Sequence, residues 1–273
     1  MTEVLVLIGA GAAAGLFGSL LGLGGGILIV PLLTLGFGLP LLTAVGVSLV
    51  CVIVTSGAAT GVYLERRVAN LRLGMTLELF TAIGALAGGL VAFLVPERYL
   101  ALLFAGLLAY VALTMAFRRD PGPDPEPDID DPAVAGSEPS ALIERLSGPG
   151  YRVRRIPLGV VGSLGAGVVS ALLGIGGGLI KVPVMHVIMG VPLRVATATS
   201  NLMIGITASA SAIIYLLRGG IDPYIAAPTA IGVFVGATVG SRAAHRIHVR
   251  VLRGLFVAIL LYTSWQMLQR GLS

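Results

Sequence analysis

Ten apolar runs, parted by short polar breaks, make up most of the chain. Five cover about 4–22, 24–38, 41–64, 73–95 and 98–117; five more cover about 156–174, 176–192, 195–217, 224–241 and 252–268. None shows the two-residue alternation of a membrane barrel strand. Most approach the roughly 20 residues that a helix rising about 1.5 Å per residue needs to cross a bilayer. The pattern predicts an all-α membrane protein, a polytopic helical bundle. The second run of each half is short and reads as a tilted span, a half-helix or a re-entrant segment.

The two halves repeat. A shift of 152 positions carries Gly22 to Gly174, Pro31 to Pro183, Pro40 to Pro192, Ala44 to Ala196, Ser48 to Ser200, Thr55 to Thr207 and Tyr63 to Tyr215. It also carries Gly84 to Gly236, Gly88 to Gly240, Arg98 to Arg250, Phe104 to Phe256 and Tyr110 to Tyr262, without a gap. Chance likeness of apolar runs would match Leu with Val but would not hold glycines, prolines and arginines in register. The chain therefore divides into a first transmembrane repeat over 1–117, a linker over 118–155 and a second repeat over 156–273. In the linker, prolines at 121, 123, 125, 127 and 132 alternate with Asp124, Glu126, Asp128, Asp130 and Asp131. Such a tract has too little apolar surface to fold alone and reads as a solvated tether. Residues 138–148 are expected to form a short amphipathic surface helix.

Charge orients the halves. Arg66, Arg67 and Arg72 follow the third run of the first half, whereas Arg242, Arg246, Arg250 and Arg253 follow the fourth run of the second. Lys and Arg gather on the cytoplasmic side, so equivalent loops should face opposite sides. Inverted repeats of about five segments each meet that requirement, with the linker cytoplasmic and both termini outside. The start, Met1-Thr2-Glu3, has no basic region and reads as a retained helix, not a signal peptide. Only 11% of residues are charged, against roughly 25% in soluble domains, which sets aside a soluble enzyme. The net charge of +5 follows from these cytoplasmic arginines and does not call for nucleic acid. Cys51, the single cysteine, cannot form an intramolecular disulfide.

Candidate chemistry centres on Gly22-Leu23-Gly24-Gly25-Gly26 and Gly174-Ile175-Gly176-Gly177-Gly178, each followed five residues on by a proline. Glycine costs about 1 kcal/mol per helical position against alanine, so both stretches predict helix breaks. In lipid, a broken backbone survives only where protein or a watery cavity satisfies it, and matching breaks in two halves point to a transport site. Simple close packing of helices stands as the alternative. A dinucleotide fingerprint does not fit, because no strand precedes and no acid follows about twenty residues on. Helix ends at the breaks would favour an anion.

Lys181 is the only lysine and sits where the first repeat has Ile29. It either faces the cavity as a counter-charge or snorkels to the interface. The candidate substrate-binding residues are Gly24, Gly25, Gly26, Ser48, Gly176, Gly177, Gly178, Lys181, Ser200 and Asn201. Glu78, the acid inside an apolar run, is the candidate for coupling. Its position about two turns from the arginine-rich loop makes an interfacial carboxylate the simpler reading. His186 reads as packed or interfacial, and His245 and His248 do not make a metal site. No Ser/His, paired Asp or HExxH constellation lies in the runs, so no catalytic residues, metal or cofactor are expected.

The doubled Gly-x-Gly-Gly-Gly, the proline five residues later and the Ala-x-x-x-Ser of Ala44–Ser48 and Ala196–Ser200 resemble the sulfite exporter (TauE/SafE) family of membrane permeases. The resemblance covers both apolar halves but not the linker. Val47 stands where many members have threonine, while Thr199 keeps a hydroxyl in the second copy. The resemblance implies secondary transport across the bacterial inner membrane of small, often sulfur-containing anions such as sulfite or sulfonates. The expectation is thus an anion transporter working by alternating access, coupled to a proton or sodium ion. Its partners are the lipid bilayer and a small anion, with a homo-oligomer left open. An anion channel, or a structural protein whose glycines serve only packing, are the alternatives.

Overall fold

In the first repeat of the computed structural model, α1 (Thr2–Leu21) leads to a short α2 (Gly26–Pro31) that opens into a π-helical turn at Leu32–Gly36. Then follow α3 (Leu41–Glu65), α4 (Leu71–Ala92) and α5 (Glu97–Phe117). The second repeat has α6 (Ile156–Leu173), α7 (Gly178–Pro183) with its π turn Val184–Ile188, α8 (Leu193–Leu217), α9 (Pro223–Ala243) and α10 (Val249–Leu272). The structure describes residues 2–21, 26–65, 69–117, 146–148, 151–243 and 249–272. Gly24, Gly25, most of the linker with its expected surface helix, His245 and His248 lie outside them. Among the described residues, five helices are long and apolar enough to cross a membrane: Leu71–Ala92, Glu97–Phe117, Ile156–Leu173, Val195–Leu217 and Pro223–Gly240.

The short second run of each half is a half-helix. Pro31 and Pro183 have no N–H with which to continue an α ladder, and the wider π turn takes over after each. Met189 N–H, for example, donates to the Val184 carbonyl at 3.1 Å, five residues back.

Packing pairs the two halves throughout. α1 packs on α9 and α6 on α4; α3 packs on α8 and α5 on α10. Register gives the directions. Cβ atoms added at Gly232 and Gly236 would strike the carbonyls of Ile8 and Ala12, so α1 and α9 run parallel. Gly84 and Gly88 meet the Leu164 and Val168 carbonyls in the same way, so α4 and α6 run parallel. These glycines let backbones touch, the usual basis of close helix packing in lipid. In contrast, Ser264 donates to the Ala105 carbonyl at 2.8 Å while Arg98, earlier in α5, donates to the carbonyl of Gly271, later in α10. The pair α5/α10 is therefore antiparallel.

Candidate functional site

The second glycine stretch parts α6 from α7. Gly174, Gly176 and Gly177 have φ of 70°, 73° and 76°, the left-handed region where a side chain is strained. Its carbonyls need partners, and the first repeat supplies one. Ser48 Oγ, on α3, lies 2.7 Å from the Gly174 oxygen and 3.2 Å from the Gly26 oxygen, and it can donate to either. The two stretches thus meet at one serine. A Cβ at Gly26 would come within 2.8 Å of the Gly174 oxygen and 2.7 Å of Val52 Cγ2, so no larger residue fits there.

Beside α7 lies a cavity of about 460 Å³, between the C-terminal half of α5 and the N-terminal half of α8. Gly178, Thr114, Thr197, Ser200 and Asn201 supply its polar lining, with Val111, Met115, Val182 and Ile204 among the apolar walls. Ser200 Oγ is buried there without a hydrogen-bond partner among the described residues, a condition that costs about 1–3 kcal/mol unless something bonds to it. Its repeat equivalent is the well-bonded Ser48. Asn201 is a second polar lining group, and its backbone carbonyl accepts from Ser56 Oγ at 2.7 Å.

Lys181 takes neither of the places foreseen for it. Its residue is 1% exposed, and Nζ lies 2.9 Å from Glu78 Oε2 and 2.5 Å from Thr207 Oγ1. Thr207 Oγ1 in turn lies 2.6 Å from Glu78 Oε1. Glu78, 4% exposed, is therefore a carboxylate buried among helices. The packing of α4 against α6 and α8 carries it inward. The triad occupies the face of α7 turned from the cavity, whose lining includes Leu179, Val182 and Pro183 but not Lys181.

Ser48, Gly26 and Gly174 thus come together at the junction, Gly178, Ser200 and Asn201 along the cavity, and Lys181 and Glu78 in the triad. Thr207 was visible in the sequence only as the repeat mate of Thr55, and Tyr110 and Thr114 of α5 carried no chemical signal at all. His186 Nδ1 lies 2.9 Å from the Val191 carbonyl. Among the described residues, no three His, Cys, Asp or Glu gather where a metal ion could be held.

On the opposite side a smaller cavity, of about 190 Å³, lies among Leu41, Glu97, Arg98, Ala101, Met267 and Arg270. Every residue of α2 is buried. Arg270 Nη1 donates to the Thr34 carbonyl at 3.0 Å, Arg98 Nε to the Gly271 carbonyl at 2.8 Å, and the Leu41 N–H to the Glu97 carboxylate.

A family model described as Sulfite exporter TauE/SafE matches residues 7–267. The chain is 23% identical over 279 residues to the probable membrane transporter protein YunE of Bacillus subtilis (strain 168), covering 98% of each chain. It is 27% identical over 245 residues to the probable membrane transporter protein YdhB of the same organism, covering 89% of each. A 97-residue stretch is 39% identical to Sulfite exporter TauE/SafE family protein 1 of Arabidopsis thaliana, covering 36% of this chain and 21% of that one. No solved structure matches the chain.

Proposed function

Because the chain belongs to the sulfite exporter TauE/SafE family and is thus a multi-pass membrane transporter, we propose that it carries a small sulfur-containing anion, such as sulfite or a sulfonate, across the bacterial inner membrane by alternating access. The observation that carries this reading is the contrast between equivalent positions. Leu179, Val182 and Thr197 are half-buried and line a cavity. Their repeat mates Ile27, Val30 and Val45 are each at most 1% exposed. The short helix of the second repeat is more open than that of the first, as expected of a carrier caught in one of its two states. Exchanging the two arrangements would move the opening to the other side. The buried α2 also argues against a continuously open channel.

Antiparallel α5/α10 supports the inverted relation of the repeats. A two-fold axis that exchanges antiparallel helices stands perpendicular to them, and so lies in the membrane plane. The arginine distribution supports a cytoplasmic linker, which puts the cavity on the cytoplasmic side, since α5 leads into that linker.

The substrate reading rests on the neutral donors at the cavity wall. Ser200 Oγ and the Asn201 amide can both donate to a sulfonyl oxygen. The apolar walls and about 460 Å³ of space leave room for a small organic group, given that a water takes roughly 30 Å³. Gly178 lines the cavity, while Gly26, Gly176 and Gly177 pack the break against Val52, Ile204 and Ala166.

The test is uptake of labelled sulfite, sulfate, thiosulfate, sulfoacetate, methanesulfonate and acetate by proteoliposomes. One or more sulfur anions should show saturable flux, accelerated by unlabelled anion on the opposite side and weakened by Ser200→Ala. Flux that never saturates would replace the carrier by a channel. No flux of any sulfur anion would overturn the reading.

A further inference from the structure

The triad of Glu78, Lys181 and Thr207 is where the two repeats differ most in chemistry. The equivalent positions are Ala230, Ile29 and Thr55, so this fold packs the same three helices without a charge. Buried ion pairs are often no more stabilising than apolar residues of the same size. Stability therefore gives no reason for the pair.

Its location does. Lys181 lies on α7, between its partners on one face and the cavity on the other. From Nζ one bond runs to α4 through Glu78 and one to α8 through Thr207. Among the described residues, Glu78 and Lys181 have only each other as charged partners. Of the helices packed on α4 and α7, α6 carries no titratable side chain. α8 carries only Arg194 in its first turn and Tyr215, whose hydroxyl donates to the Ala171 carbonyl at 3.0 Å. α4 itself has Arg72 in its first turn, and the π turn after α7 has His186, placed against Val191.

Building on the transport reading above, we propose that Glu78 is the proton-coupling carboxylate of an anion–proton symporter, and that Lys181 is its internal counter-ion, whose charge balances the transported anion across α7 once Glu78 is protonated. The interior favours a neutral set over a net charge. An anion entering the cavity alone adds a negative charge beside a neutral pair. A proton entering alone turns Glu78 into a neutral acid and leaves the Lys181 ammonium uncompensated. Anion and proton together keep the region neutral, so each favours the binding of the other, and that coupling is reciprocal.

The hydrogen bonds allow the exchange. The proton comes from water and forms an O–H at Glu78 Oε2, the atom that now accepts from Lys181. The released ammonium keeps Thr207 Oγ1 as an acceptor. The Thr207 hydroxyl can turn its own proton to the Met203 carbonyl, 3.1 Å away. For a monovalent anion the transfer moves no net charge.

The experiment uses the full chain in proteoliposomes, with labelled methanesulfonate as probe, because it stays a monoanion throughout the working pH range. Membrane potential is held at zero with potassium and valinomycin. One-to-one symport should accumulate the probe roughly tenfold for each unit by which the interior is more alkaline, since a pH unit is a factor of ten in proton activity. Glu78→Gln should bring that ratio to about one, whatever its absolute rate. The double variant Glu78→Gln/Lys181→Met should do the same, and it guards against a single variant that fails to fold. Saturable wild-type flux that ignores the pH gradient would overturn the coupling while leaving the transporter. So would accumulation that persists in Glu78→Gln or in the double variant. If sulfite or another sulfur anion is carried but methanesulfonate is not, the same test on that anion, with its charge at the working pH taken into account, decides in the same way. Failure to carry any sulfur anion would bring down both readings together.

Discussion

Lys181→Met removes the ammonium from a site that has almost no contact with solvent. The Glu78 carboxylate, 4% exposed, keeps only the Thr207 hydroxyl at 2.6 Å. Orphaning one member of a buried pair costs about 3–5 kcal/mol, whereas removing both charges with little change of volume is roughly neutral. Glu78→Gln alone leaves the ammonium unpaired and should cost a similar amount. If the two effects were independent, the double variant would lose about 6–10 kcal/mol; through a real pair it should lose about 1 or less. At roughly 2–4 °C per kcal/mol for a chain of this size, each single variant should lower the apparent Tm by about 6–20 °C. The double variant should stay within a few degrees of wild type. Heating detergent-solubilised protein in steps and following the folded peak by size-exclusion chromatography reads the shift. A double variant as damaged as the sum of the singles would refute the pair and the logic built on it.

The same packing sets the outcome of other substitutions. Ser48→Ala deprives the Gly174 and Gly26 carbonyls of their donor and should cost about 1–3 kcal/mol. Ser200→Ala, removing a hydroxyl without a partner, should leave the apparent Tm unchanged or raise it. Gly236→Ala and Gly84→Ala drive a methyl into the backbones of Ala12 and Leu164, and should cost about 1–3 kcal/mol or more. Gly106→Ala, with nothing within 4 Å, should be tolerated, as yields of folded protein will tell. In a Cys51→Ala background, Thr197→Cys should react quickly with a water-soluble maleimide and Val45→Cys slowly. Equal rates would remove the asymmetry on which alternating access rests here.

How much of this was legible beforehand differs by feature. The repeat shift was plain because Gly, Pro and Arg are rarely interchangeable, so their register survives where Leu and Val drift. The half-helices could be foreseen only as one of three readings of the short second runs. Glycine cost and proline geometry say that a helix must stop, but not how the chain resumes. The burial of Glu78 was not legible, because distance along the chain does not say which neighbours cover a side chain. Its partner, Lys181, lies 103 residues away, and no local pattern links them.

The sequence by itself determined the helical membrane class, the repeat within the sequence and the presence of one lysine within an apolar run. These follow from apolar length, the register of matching residues and the expense of charge in lipid. Only the tertiary structure decided which side of α7 Lys181 occupies, that it is paired, where the cavity lies, and that Ser48 is bonded where, among the described residues, Ser200 is not. Those are differences between chemically similar positions, and they arise from how the described helices pack against one another.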